Sequence, residues 1–269
     1  MILEFLKVTE NLGVVTVSLN RPEKRNAFHP GMIAEITKIF KQIRKDKTTR
    51  AVLLTGEGQS FCSGGDLEWM KSMAEYTLAK NLKDARELFA MYFGIRNCPV
   101  PVVGKVFGHC FGGGAGLTAV CDIVVAEEKT QFSFSEVKWG LVPAVISPFV
   151  SERAAPAKVR EWFITAKVFQ ALEARDGGLI NFSGSMGDCD QELERTFKLL
   201  HQTAPEAVRA TKKLHQSYST ISWKKAEPVV TKLIAQRRVS AEGQKGLKAF
   251  LDKKTPVWNE SAHGAPPKI

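Results

Sequence analysis

A glycine-rich segment in the middle of the chain is the first candidate for chemistry. GHCFGGGAGLTAVCD, residues 108–122, places three consecutive glycines between a predicted strand and a run with helical propensity. Glycine accepts positive φ and lets a ligand approach the backbone, and a helix that begins here adds the positive end of its dipole. The segment favours an oxyanion site built from N–H groups, although tight packing of a helix on a strand explains a lone glycine turn equally well.

A second segment offers donors of the same kind. FCSGGDLEWM, residues 61–70, follows a predicted buried strand and combines small residues with free amides. Asp66 in this segment is a candidate helix cap. Two such loops can hold one carbonyl oxygen between two N–H groups.

Glu136 is the candidate proton carrier. It follows the alternating residues Phe132 and Phe134 and precedes the apolar Trp139, so we expect a partly buried carboxylate. Burial raises the pKa of a carboxyl group, which suits it to giving and taking protons near neutral pH. For an isolated glutamate, however, a surface acid or an ion pair with Lys138 is the simpler interpretation.

The elements that must position these residues alternate between strands and helices. Apolar periodicity predicts strands at residues 2–8, 14–19, 51–55, 101–106 and 123–126, and helices at residues 32–43 and 82–93. A turn at residues 11–13 joins the first two strands as a hairpin. Alternation on this scale predicts an α/β fold.

Beyond about residue 190 the pattern changes to charged amphipathic helices. Helical spacing recurs at residues 193–200, 208–214 and 229–234. We therefore predict a core at residues 1–190 and a C-terminal helical region at residues 191–269.

Composition limits the classes of function. The chain has 44% hydrophobic and 25% charged residues, which is typical of a globular protein and excludes a disordered one. Without a membrane-length apolar run or a secretory pattern, we expect a soluble, cytoplasmic protein that does not bind membranes. The net charge of +10 allows anionic partners, but the basic run at residues 41–50 has no interleaved aromatics, which argues against nucleic acid. The five cysteines lack metal-ligand spacing and are interpreted as free thiols, so no metal is expected.

Four motifs carry a specific resemblance. NRPEKRNAF (20–28), SFCSGGDL (60–67), GHCFGGGAGLTAVCD (108–122) and QFSFSEVKWGLVP (131–143) follow one another as in the enoyl-CoA hydratase/isomerase (crotonase) family. The resemblance continues into the C-terminal segment at residues 241–258. It implies a spiral of ββα units, a C-terminal helical region that assembles trimers or hexamers, and an acyl-CoA substrate. CoA is then part of the substrate, and no separate cofactor is expected.

The resemblance also implies roles at the matching positions. The amides of Gly65 and Gly113 would form an oxyanion hole for the thioester oxygen, and Glu136 would move protons. The implied substrate contacts are Arg25 and Ala27 along the CoA channel, and Ser63, Gly64, Asp66 and Leu67 around the adenine.

Gly116 departs from the family pattern. Standard hydratases of the family hold water between two glutamates, and the first of these falls on Gly116, whereas the second matches Glu136. In this feature the chain looks most like bacterial methylglutaconyl-CoA hydratases of leucine and isoprenoid catabolism. We therefore predict hydration of an α,β-unsaturated acyl-CoA such as 3-methylglutaconyl-CoA, with its branched, carboxylated chain in the empty space beside Gly116.

Two other functions remain open. A Δ3-Δ2-enoyl-CoA isomerase needs one base to carry a proton between the α and γ carbons, and Glu136 alone suffices for that. A non-catalytic protein that binds acyl-CoA or RNA is the alternative from another class, because fold alone does not determine function. The presence of Glu136 and of both amide loops argues against this last alternative.

Overall fold

The computed structural model describes residues 3–217 and 221–258. Its strands are β1 (Leu6–Asn11), β2 (Val14–Leu19), β3 (Ala51–Gly56), β4 (Val102–Val106), β5 (His109–Phe111), β6 (Ile123–Glu127), β7 (Gln131–Ser133), β8 (Phe169–Gln170) and β9 (Phe182–Gly184). Its helices are α1 (Pro30–Lys45), α2 (Leu67–Ala74), α3 (Leu78–Arg96), α4 (Gly113–Val120), α5 (Ser147–Arg153), α6 (Pro156–Thr165), α7 (Ala171–Asp176), α8 (Met186–His201), α9 (Pro205–Ser217), α10 (Trp223–Val239) and α11 (Ala241–Leu251). Short 3₁₀ turns lie at Pro22–Lys24 and Glu136–Trp139.

The predicted hairpin is confirmed, with its first strand displaced along the chain. Leu12 and Gly13 both have positive φ, 49° and 77°, which is the two-residue turn that matches strand twist. Pairing therefore continues up to Asn11, opposite Val14, although the last side chains of β1 are exposed. Apolar alternation located this strand too early because pairing at a sheet edge does not require apolar side chains. Residue 2, where the prediction began, lies outside the described residues.

Two sheets form the framework. The larger has the order β1-β2-β3-β4-β6-β9, in which β2 and its successors run parallel, and the smaller has the order β5-β7-β8. The chain passes from the large to the small sheet at β4–β5 and again at β6–β7. Helices follow strand pairs, as α1 follows β2 and α4 follows β5. The predicted α/β spiral of ββα units is confirmed.

Both faces of the large sheet are packed. Val52 and Leu54 of β3 belong to the main core, together with Ile36 of α1, whereas Leu53 faces the opposite side. Side chains alternate across a strand, so an apolar run such as AVLL buries itself on both faces. This explains why the unbroken apolar run was enough to predict the strand at residues 51–55.

Helix α8 covers the second face of the large sheet. Its residues Cys189, Leu193 and Phe197 are buried with Leu53 and Val103. The predicted division between residues 190 and 191 falls inside this helix, so the packing of α8 belongs with the core. Helices α9, α10 and α11 contribute no buried residue within the described part of the chain, and residues 259–269 of the predicted C-terminal region lie outside it.

The role of α8 gives a stability prediction. Leu193→Ala should lower the free energy of unfolding by about 2–5 kcal/mol, because it opens a cavity under the large sheet. Leu199→Ala, on the exposed side of the same helix (54% exposed), is the matched control and should stay within about 0.5 kcal/mol of the wild type. Thermal unfolding of both variants measures the difference, and equal losses would contradict the assignment of α8 to the core.

Candidate active site

The first glycine loop is held by the backbone of Phe28. The Phe28 N–H donates to the Gly64 carbonyl at 2.7 Å, and the Phe28 carbonyl accepts from the Asp66 N–H at 2.7 Å. These two bonds fix the peptides on both sides of Gly65, which pairs with Phe28 as in a parallel bridge. Among the described residues, the Gly65 N–H has no acceptor, so this donor is free for a ligand.

The second glycine loop presents a similar donor. The Gly112 N–H donates to the Ser133 carbonyl at 2.8 Å, and the Gly112 carbonyl accepts from the Gly116 N–H at 3.1 Å. Gly112 has a φ of 47°, a conformation that favours glycine. Gly113 then begins α4, and its N–H has no acceptor within the described residues. The positive end of the helix dipole adds to the attraction of this amide for an anion.

The segments that lead into the two glycine loops pair with each other. The Cys62 N–H donates to the His109 carbonyl at 3.1 Å, and the Phe111 N–H donates to the Cys62 carbonyl at 3.1 Å. This parallel bridge joins Cys62 to Cys110. The two unpaired amides therefore extend from neighbouring segments, an arrangement that can hold one oxygen atom.

Glu136 lies beside the second loop. An ideal Cβ on Gly112 would be only 3.2 Å from Glu136 Oε1, so the absence of a side chain at Gly112 makes room for the carboxylate. Glu136 Oε2 is buried and has no hydrogen-bond partner among the described residues. Burial raises the pKa of the Glu136 carboxyl above its ordinary value. The predicted burial and the predicted direction of the pKa shift are confirmed, and no ion pair with Lys138 forms.

The expected empty space beside Gly116 is not present. A side chain at Gly116 would overlap the Ile146 Cγ2 methyl and would lie 3.1 Å from Tyr92 Cε1. Ile146 itself is 3% exposed and immediately precedes α5. The idea that Gly116 leaves room for a branched acyl chain is therefore wrong, because a residue thirty positions later fills that room. The hydrocarbon side chain of Ile146 occupies the place toward which a second carboxylate would point.

The predicted CoA-channel residues lie on a connected stretch of backbone. Arg25 is exposed and has a φ of 49°, and its carbonyl accepts from the Ser63 N–H at 3.0 Å. Ala27 is buried, and Gly64 has a φ of 101°. The backbones of Arg25 and Ser63 are thus brought together. The side chain of Arg25 is exposed to solvent at this edge of the site.

Asp66 and Leu67 differ in what their side chains offer. Asp66 caps α2 by accepting from the N–H groups of Glu68 and Trp69, as predicted, and its other oxygen accepts from Arg21 at 3.0 Å. Because its carboxylate is buried and fully engaged, a ligand contact at Asp66 would have to come from the backbone. Leu67 is 80% exposed, so its side chain is available to a ligand.

Sequence reasoning missed two aromatic contributors to the site. Phe28 holds the first loop through its backbone, and Tyr92 donates its hydroxyl hydrogen to the Gly113 carbonyl at 2.8 Å. The helical spacing that included Tyr92 marks a core residue and gives no sign of a hydroxyl contact. Trp69 and Met70 pack against the position of a Cβ on Gly65, and Trp69 is 8% exposed.

The cysteines form no reactive cluster. All five are unpaired and buried, which confirms their interpretation as free thiols. Burial raises the pKa of the Cys62 and Cys121 thiols to about 12, which keeps them protonated. Within residues 3–217 and 221–258, no three His, Cys, Asp or Glu side chains come together as a metal site. No helix in this part of the chain has the length and apolarity needed to cross a bilayer.

The burial of Glu136 predicts a pH-dependent effect on stability. The pKa of Glu136 is raised in the folded state above its ordinary value of 4.5. As the pH rises from below 4.5 through the raised pKa, the wild type should therefore lose stability relative to Glu136→Gln. The melting temperature of Glu136→Gln minus that of the wild type should therefore be larger at pH 8 than at pH 4. The exposed Glu128 provides the control Glu128→Gln, which should show no such trend. A pH-independent difference for Glu136→Gln would contradict the burial.

Comparison with known proteins identifies the family. A profile of the enoyl-CoA hydratase/isomerase family matches residues 9–261. The hydroxycinnamoyl-CoA hydratase-lyase of Pseudomonas fluorescens is 28% identical over 256 residues, which is 93% of each chain.

Solved structures extend the similarity to the whole fold. An enoyl-CoA hydratase from Shewanella pealeana has a TM-score of 0.91 at 34% identity, with 95% of this chain and 96% of that chain covered. AtuE from Pseudomonas aeruginosa has a TM-score of 0.91 at 32% identity, with 95% and 99% covered. The chain therefore has the crotonase fold, belongs to the enoyl-CoA hydratase/isomerase family, and is an enzyme of that family.

Proposed function

We propose that this enzyme adds water to an α,β-unsaturated acyl-CoA. The observation that carries the proposal is the position of Glu136, whose half-buried carboxylate has one buried oxygen without a partner, Oε2, and lies against the turn at Gly112. That turn leads directly into the unpaired amide of Gly113. A proton carrier and an oxyanion donor thus stand next to each other, which is what enolate chemistry requires.

In the proposed reaction the thioester oxygen accepts hydrogen bonds from the amides of Gly65 and Gly113. The water oxygen bonds to C3 while Glu136 takes a proton from that water, and the electron pair of the C2=C3 bond moves into the thioester as an enolate. Glu136 then returns the proton to C2, which restores the carboxylate and gives a 3-hydroxyacyl-CoA. Removal of one such preorganised donor typically costs about 3 kcal/mol of transition-state stabilisation.

The raised pKa of Glu136 supports both proton transfers. A general base must accept a proton from water, and the same group must then donate it to carbon. Catalysis is most efficient when the pKa of this group lies closer to the working pH than that of a solvated glutamate. Burial raises the pKa of Glu136 in that direction.

For the acyl chain, we propose a branched, carboxylated group such as that of 3-methylglutaconyl-CoA. The support is the resemblance of the segments at residues 108–117 and 134–150 to methylglutaconyl-CoA hydratases. Space beside Gly116 gives no support, because Ile146 fills it. The CoA moiety would follow Arg25 and Ala27, with its adenine near residues 63–67.

An isomerase is the second candidate, for one specific reason. Ile146 occupies the place toward which a second carboxylate would point, so Glu136 is the one carboxylate at this turn among the described residues. A double-bond shift needs only one base and no activated water. The hydratase proposal requires in addition that water be held by Glu136 and backbone groups.

We also propose that α9, α10 and α11 join subunits into a homotrimer or hexamer in the cytoplasm. These helices bury no side chain in the described residues, and they expose Trp223 (93%), Val239 (78%) and Phe250 (78%). Large apolar side chains exposed on helices that bury none of their own residues favour a subunit interface.

Mass spectrometry of a small substrate panel tests the reaction. We expect 3-methylglutaconyl-CoA to gain the mass of one water, with turnover reduced by about 10²- to 10⁴-fold in Glu136→Gln. Crotonyl-CoA and 3-hexenoyl-CoA are the comparison substrates, and Glu128→Gln is the control variant. Isomerisation of 3-hexenoyl-CoA without a mass change would support the isomerase instead. Binding of acyl-CoA without any turnover would contradict both enzymatic proposals.

The contact between Gly116 and Ile146 predicts a coupled pair of substitutions. Gly116→Glu alone should destabilise the protein by about 1–3 kcal/mol or more, because the new side chain meets Ile146. The double variant Gly116→Glu/Ile146→Ala should be more stable than the sum of its single variants by at least about 1 kcal/mol. Its activity on crotonyl-CoA should rise relative to 3-methylglutaconyl-CoA, because a second carboxylate then reaches the water. Strict additivity in thermal unfolding would show that the two positions do not touch.

A further inference from the structure

Tyr92 connects helix α3 to the second glycine loop. Its side chain is completely buried, and its hydroxyl donates to the Gly113 carbonyl at 2.8 Å. Burial raises the pKa of the Tyr92 phenol well above its ordinary value, so the hydroxyl keeps its hydrogen and remains a donor. The contact is made to Gly113, whose N–H is unpaired. It comes from α3, which carries neither glycine motif.

The glycine loop needs such an external anchor. Three consecutive glycines, residues 112–114, have wider conformational freedom than any other tripeptide, so their peptide planes are poorly fixed by local sterics. The Ser133 carbonyl and the Gly116 N–H hold the two sides of Gly112. Tyr92 holds the next carbonyl, that of Gly113. The free Gly113 N–H shares its peptide with the Gly112 carbonyl, which the Gly116 N–H holds, and the peptides on either side are held by Ser133 and Tyr92.

The Tyr92 ring is itself held on several sides. It meets Phe28 edge to face, with ring centroids 6.4 Å apart, and Phe149 at 5.9 Å. Its hydroxyl lies 2.9 Å from an ideal Cβ on Gly113, so only glycine permits this approach. Because the backbone of Phe28 fixes the loop of Gly65, the contact between the two rings links both candidate oxyanion donors.

We propose that Tyr92 is a positioning residue, which fixes the orientation of the Gly113 amide and thereby sets the strength of the oxyanion hole. The inference rests on the proposed function, since it assumes that this amide binds the thioester oxygen. Tyr92 acts through the Gly113 peptide and does not touch the reacting atoms. Its effect should therefore fall on the transition state more than on substrate binding.

Tyr92→Phe removes only the hydroxyl and tests this role. We expect kcat for the best substrate of the panel to fall by about 5- to 50-fold, with KM within about twofold of the wild type, because the lost bond matters most when charge develops on the thioester oxygen. The control is Tyr76→Phe, since the Tyr76 hydroxyl, between α2 and α3, accepts a hydrogen bond only from Ser72 of α2 at 3.3 Å among the described contacts. The kcat and KM of this variant should be unchanged. A rise in KM with unchanged kcat would contradict the proposal.

A spectroscopic measurement separates positioning from general damage. The absorption of 4-(dimethylamino)cinnamoyl-CoA moves to longer wavelength when hydrogen bonds polarise its thioester carbonyl. Bound to Glu136→Gln, in which turnover is slowed, this probe should show a clear red shift. The shift should be smaller in Glu136→Gln/Tyr92→Phe at saturating probe. An equal shift, together with a kcat within twofold of the wild type, would show that Tyr92 only packs. If the probe shows no shift even with Tyr92 present, the oxyanion hole itself is refuted, and the role of Tyr92 with it.

Discussion

The constraint on which the site depends is that two backbone N–H groups, those of the partly exposed Gly65 and Gly113, stay unpaired in firmly held loops. A backbone N–H tends to find an acceptor, and a flexible loop would turn it toward any available carbonyl. At Gly65 the turn is prevented by two backbone bonds to Phe28. At Gly113 it is prevented by bonds to Gly112 and by the Tyr92 hydroxyl. The ββα framework is what brings these anchors together, since they come from separate turns of the spiral.

The carboxylate of Glu136 is subject to a related constraint, because one of its oxygens is buried without a hydrogen-bond donor. Glu136 Oε2 is buried without a partner among the described residues, an arrangement that favours the protonated form and destabilises the charged one. The buried Glu136 Oε2 without a partner is unfavourable for folding, and the two free amides leave donor capacity that the chain itself does not use. A bound thioester with its attacking water would satisfy both, which is why these groups are better explained by a ligand than by the stability of the free chain.

The sequence was most informative where one local pattern determines one element. The apolar run of β3 and the helical spacing of α1 and α3 predicted their elements to within a few residues. Short strands such as β8 and β9 carry too few residues for any periodicity to emerge. The glycine motifs indicated two amide-rich loops, and the family resemblance assigned the amides of Gly65 and Gly113. Tyr92 could not be connected to Gly113 because that contact depends on how α3 packs. Whether the matching residues bind CoA stays a prediction.

Gly116 shows why a missing side chain cannot be interpreted alone. A glycine in place of a glutamate suggests a vacancy, yet close packing of interiors means that a neighbour moves into such a space. Here the neighbour is Ile146, which lies thirty residues later in the chain, beyond the motif at residues 131–143. Its methyl group also restricts the chemistry, because water can then meet only one carboxylate. If Glu136 both removes the proton from water and returns it to C2, hydrogen and hydroxyl must reach the same face of the double bond.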